Sequence, residues 1–186
     1  MILTRMDWKF LILPKLLMTN KEASAKQEKL VADYMGWRVV SGSGARPFKP
    51  GDVNNEHYLA ECKTHVNEQT NIVFYKKHWD KIAIESSSVH KRPVLITDNG
   101  TQNSSHTWVA IHWKTLPENC HIILGLNNTS RSENTITFNA YEAAMNYKQG
   151  YQDSAINYFI EKFGKDELAI MPLSEFKKFY QDQYEC

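Results

Sequence analysis

The feature that most restricts this chain is the order of groups in "SGSGARPFKPGDVNNEHYLAECK", from Ser41 to Lys63. A glycine-rich loop leads to Asp52. A second carboxylate, Glu61, follows nine residues later, and Lys63 two residues after that. The segment Gly42–Gly51 contains three glycines and two prolines, so it predicts irregular backbone rather than helix or strand. Beyond it, "DV", "NNE" and "HYLAECKTH" predict a hairpin of two strands around an Asn-Asn turn. Side chains alternate across a strand, which puts Tyr58, Ala60 and Cys62 on one face and Leu59, Glu61 and Lys63 on the other. The fold must then bring Asp52 to the Glu61–Lys63 face.

The flanking sequence supplies the rest of an α/β unit. "TNKEASAKQEKLVADYMG" predicts a helix capped at Thr19 or Asn20 and stopped by Gly36. Its apolar stripe is Ala23, Gln27, Leu30, Val31 and Tyr34, with Glu28 on the flank. "WRVVS" (Trp37–Ser41) predicts a strand, and a second helix is expected from about Tyr75 to His90. "PVLITD" and "HTWVAIHW" predict two further strands, joined through Asn99-Gly100. Helix, three strands, helix, strand, strand is an α/β core with a mixed central sheet flanked by helices. This core occupies residues 1–117, with an N-terminal arm over 1–18.

Residues 118–186 predict a C-terminal α/β elaboration packed on the same domain. "HIILGL" and "NTITFNA" are strand candidates. "YEAAMNYKQGYQDSAINYFIEKFG" predicts a helix with Ala155, Ile156, Phe159, Ile160 and Phe163 as its apolar stripe, and "ELAIMPLSEFKKFY" a strand running into a helix near Leu173.

Composition narrows the class. The 186 residues suffice for a hydrophobic core without staples. Cys62, Cys120 and Cys186 make an odd count with no zinc-like spacing, which argues against a disulfide framework and points to a reducing cytoplasm. The run Phe10–Met18 is too short to span a membrane and is broken by Pro14 and Lys15, so no membrane association is expected. Residues 1–92 carry 15 Lys/Arg against 10 Asp/Glu, whereas residues 93–186 carry 7 against 11. The basic half is therefore the half with the Asp/Glu/Lys pattern, as phosphate binding would require.

Phosphodiester hydrolysis needs a cation to offset charge on the non-bridging oxygens and to acidify a water. Mg²⁺ is held by one or two carboxylates together with waters and substrate phosphate. Asp52 and Glu61 can supply those carboxylates, the Cys62 carbonyl a further oxygen, and Glu28 a second metal position or its water shell. Lys63 would set a cation beside the attacking water. The Gly-Ser-Gly turn brings backbone N–H groups near a phosphate, so Ser43 and Gly44 are candidate phosphate contacts, with Arg46 and Lys49 as flanking cations. Taken singly, Asp52 is a turn residue and Glu61–Lys63 a surface pair; only the joint order points to a site. No role is assigned to His57, His65, His90 or His106.

The helix Glu28, the "SGSGA" loop, Gly51-Asp52 and "AECKT" (Ala60–Thr64) together resemble the PD-(D/E)XK nuclease superfamily. Within it the chain looks most like the archaeal and phage Holliday-junction resolvases, over roughly Lys21 to Trp113. Gly51 stands where the superfamily often has proline. The resemblance implies a restriction-endonuclease-like core, with Asp52 and Glu61 as ligands of Mg²⁺ (Mn²⁺ substituting), Lys63 as catalytic lysine, Glu28 as the helical acid and Ser43 near the scissile phosphate. It implies a homodimer that cuts branched DNA. The apolar run Phe10–Met18 or the stripe around Phe159 and Phe163 is the expected dimer contact. A repair, restriction or homing-type endonuclease, or a DNA-binding protein with the same fold and no turnover, are the alternatives.

Overall fold

A computed structural model describes residues 18–42, 49–117, 121–122, 129–149 and 156–184. Its first helix, α1 (Asn20–Met35), begins at a reciprocal cap. The Thr19 hydroxyl accepts from Glu22 N–H, and the Glu22 carboxylate accepts from Thr19 N–H at 2.7 Å. Gly36 ends the helix in the left-handed conformation, with φ 69°. β1 is only Arg38–Val39, shorter than the expected Trp37–Ser41.

The expected hairpin is present, β2 (Val53–Asn54) pairing antiparallel with β3 (Tyr58–Lys63), but Asn54 is paired with Leu59 and the turn lies at 55–57 instead of at the Asn-Asn pair. The Asn55 side chain accepts from His57 and Tyr58 N–H at 2.8 and 2.7 Å and so fixes the turn. β4 (Asn71–Tyr75) leads directly into α2 (Lys76–Ser88). β5 (Arg92–Asp98) and β6 (Thr107–His112) follow as expected. The chain continues through β7 (His121–Ile122), β8 (Ser130–Arg131), β9 (Thr135–Asn139), α3 (Ala140–Gln149), β10 (Asn157–Phe163), β11 (Asp166–Pro172) and α4 (Leu173–Tyr184).

The class is mixed α/β. Eight strands form one sheet in the order β1-β2-β3-β5-β6-β11-β10-β7, with β3 parallel to β5 and β10 parallel to β7. One face is covered by α1 and α4, where Val31, Met35, Phe176 and Phe179 pack on Tyr58, Ala60, Cys62 and Ile96. The other is covered by α2 and by a three-stranded sheet, β4-β9-β8, through Trp79, Ile82, Phe74 and Phe138 on Leu59, Leu95 and Trp108. The alternation anticipated for β3 therefore holds: Tyr58, Ala60 and Cys62 enter the first core, and Leu59 enters the second.

Two expectations fail. β4 goes unanticipated in "NIVFY", although Ile72 and Phe74 alternate inward. The helix expected to run on to Gly164 ends at Gln149, and Asn157–Phe163 is a strand. Phe159 and Phe163 are four apart, and a spacing of four falls on one face of a helix and of a strand alike. Pairing with β11 decides the matter: Phe159 lies opposite Ile170 and Phe163 opposite Asp166, around a turn at Gly164-Lys165. Phe159 and Phe163 are 2% and 0% exposed, so this stripe is core and not a dimer contact. The other expected contact, Phe10–Met18, lies outside the described residues except for Met18.

Candidate active site

Asp52, Glu61 and Lys63 converge. Asp52 immediately precedes β2, and its placement depends on Gly51, whose N–H donates to Glu85 Oε2 at 2.9 Å. Gly51 has φ 68°, and a Cβ there would lie 2.6 Å from the Leu59 side chain. Proline, fixed near φ −65°, is incompatible with this backbone, which accounts for glycine at the position. Asp52 Oδ2 accepts from Cys62 N–H at 2.9 Å, tying the loop to β3.

Lys63 Nζ lies 2.6 Å from Glu61 Oε1, 3.1 Å from the Cys62 carbonyl and 3.9 Å from Asp52 Oδ2. The three oxygens inferred from sequence as cation ligands thus surround one point, and a cation, the Lys63 ammonium, already sits there. Oxygen donors of this kind are what a hard divalent ion requires. The residues therefore fit Mg²⁺. Among the described residues no three His, Cys, Asp or Glu side chains stand together as a metal-binding group; this set is two carboxylates and a main-chain carbonyl.

Glu28 joins the cluster electrostatically. Its pKa is pushed up to about 7, by burial first and then by the charges of Asp52 and Glu61, with Lys63 opposing. Asp52 is also shifted upward, by burial and by Glu61, despite the Cys62 N–H and the lysines. Glu61 goes the other way. Burial raises it, but hydrogen bonds and charge from Lys63 and Lys81 outweigh that and hold its carboxyl below the usual range. The Cys62 thiol faces the opposite core and is pushed well up by burial, which leaves it no nucleophilic part.

Four neighbours were not singled out as site residues from the sequence. Lys81, on α2, donates to Glu61 Oε2 at 2.7 Å and lies 3.6 Å from Glu85 Oε1. Glu85, by also accepting from Gly51, links both carboxylate-bearing segments to α2. Gln27, buried on α1, donates to the Lys63 carbonyl at 2.8 Å, while its Oε1 has no protein partner among the described residues. His78 is kept neutral, its pKa lowered to about 4 by burial and by Lys63 and Lys77. Lys81 and Glu85 are spaced for one helix face, but only packing reveals that this face meets Glu61. Ser43, Gly44 and Arg46 lie outside the described residues. Lys49 is exposed and donates to the Ser41 carbonyl at 2.9 Å.

Comparison of the chain with protein-family models, with curated proteins and with solved structures gives no match. Among the described residues no helix is long and apolar enough to cross a membrane.

Proposed function

We propose that this protein is a Mg²⁺-dependent endodeoxyribonuclease with a restriction-endonuclease-like core, acting on branched DNA as a homodimer. The observation that carries the reading is the convergence of Asp52 Oδ2, Glu61 Oε1 and the Cys62 carbonyl on a single cation position at the end of β3. Bound there, Mg²⁺ would supply charge neutralisation at the phosphate and a more acidic water.

The chain's own residues do the remaining work. Asp52 and Glu61 would hold the cation, and Glu28, when ionised, would add negative charge beside it. Lys81 fixes the Glu61 carboxylate by taking Oε2, so that Oε1 faces the site. Lys63 carries a side chain 37% exposed on a flexible stem. It can yield the cation position and stabilise the developing phosphorane charge from alongside. Gln27 anchors the Lys63 backbone from α1. The choice of branched DNA and of a dimer rests on the resemblance of the Glu28, Gly51-Asp52 and Glu-x-Lys pattern to junction resolvases. Two opposed cuts need two sites at a fixed separation, which a two-fold dimer provides.

The test is cleavage of a labelled four-way junction beside flap, mismatch and linear duplex in Mg²⁺. Preferential paired cutting of the junction is expected. Asp52→Asn and Glu61→Gln should abolish cleavage while retaining DNA binding. Cleavage by either at more than a small fraction of the wild-type rate would refute the site. Efficient cutting of linear duplex alone would favour the restriction or repair reading. Sedimentation at micromolar concentration tests the dimer.

A further inference from the structure

Two clefts of about 410 and 400 Å³ open at the outer edge of the central sheet, and both are lined by Arg38, Asn54 and Lys91. The second also takes in Lys49, Leu59 and Val89. Among the described residues three cations thus line this surface against one carboxylate, Glu56, which belongs to the first cleft.

The way these cations are held matters. Lys91 Nζ donates to the Asn55 carbonyl at 2.5 Å, and Lys49 Nζ to the Ser41 carbonyl at 2.9 Å. A carbonyl orients an ammonium but cancels none of its charge. Arg38 is exposed on the edge strand β1. Among the described residues, none of the three makes a salt bridge. They contrast with Lys63 and Lys81, which are both spent on Glu61.

The clefts also lead away from the candidate active site. Lys49 precedes Asp52 by three residues. Leu59 shares the Glu61 face of β3 two positions away, about 6.6 Å at the usual rise. Val89 directly follows α2, the helix that carries Lys81 and Glu85. A polyanion leaving the site along this edge would meet Lys49 and then Arg38 and Lys91.

We propose that these joined clefts are a phosphate-backbone track for the DNA strand flanking the scissile phosphate, with Arg38, Lys49 and Lys91 as its sequence-independent contacts. The proposal rests on the nuclease reading above and adds a binding surface to it.

The experiment measures affinity for a four-way junction by fluorescence anisotropy from 50 to 200 mM NaCl, using the full chain carrying Asp52→Asn so that no cutting occurs. Arg38→Gln and Lys91→Gln are added singly and together. Glutamine keeps a hydrogen-bond donor for the Asn55 carbonyl while removing charge, and circular dichroism confirms folding. Each lost phosphate contact should lower the slope of log K against log salt by about 0.9, and the pair by about 1.8. A parent that binds DNA with a slope unmoved by the double change overturns the track and leaves the nuclease assignment standing. A parent with no measurable DNA binding overturns both.

Discussion

Glu61→Gln and Asp52→Asn should both end catalysis, yet only Glu61→Gln should lose stability when metal is chelated. Glu61 is 2% exposed and accepts two charge-assisted hydrogen bonds, from Lys63 at 2.6 Å and Lys81 at 2.7 Å. Such bonds contribute about 1.5–3 kcal/mol each. The lysine side chains are 37% and 47% exposed, so water takes up part of what they lose and the lower end of that range applies. Glutamine retains one neutral acceptor, contributing about 1 kcal/mol. The net loss is then about 2 kcal/mol, and for a chain of this size the melting temperature falls by about 4–8 °C. Asp52 differs because its buried charge is disfavoured by desolvation and by Glu61. Asparagine removes that charge and keeps an oxygen for the Cys62 N–H, so Asp52→Asn should leave the melting temperature unchanged or raise it. Thermal unfolding followed by circular dichroism at pH 7 in EDTA reads both. A Glu61→Gln protein as stable as wild type, beside a destabilised Asp52→Asn protein, would refute this account of how the lysines are distributed.

Lys63→Ala should reduce single-turnover cleavage by about 10²–10³ with little change in DNA affinity; near-normal turnover would reduce Lys63 to a structural counter-ion of Glu61. Glu28, raised from the ordinary 4.5 to about 7, holds its proton more tightly in the folded protein. The stability this gives is complete below pH 4.5 and lost as the pH rises through 7, so wild type should lose stability relative to Glu28→Gln across that window in EDTA. Parallel pH profiles would contradict the clustering of Glu28 with Asp52 and Glu61. Gly51→Ala should cost at least about 2 kcal/mol in denaturant unfolding, from left-handed backbone strain and overlap with Leu59. A neutral effect would mean that the loop before Asp52 is not held as described.

Local order along the chain determined much of this protein. The Thr19 cap and Gly36 stop delimit α1 because both act within a single turn of backbone. The two-residue period of "YLAECK" put Glu61 and Lys63 on one face of β3, since a strand's geometry admits no other arrangement. The register that sets Asp52 against that face was not legible, because Asn54 belongs to β2 opposite Leu59 and the turn lies at 55–57 rather than at Asn54-Asn55. Long-range packing decided the rest. "NYFIEKF" carries a spacing that serves helix and strand equally, and only the partner strand β11 selects between them. "NIVFY" is a strand because β9 lies beside it. Lys81, Glu85 and Gln27 read as ordinary helical residues until α2 and α1 close on the two faces of β3. What a side chain's neighbours are depends on contacts between segments distant in sequence, and those contacts set its charge state and its chemistry.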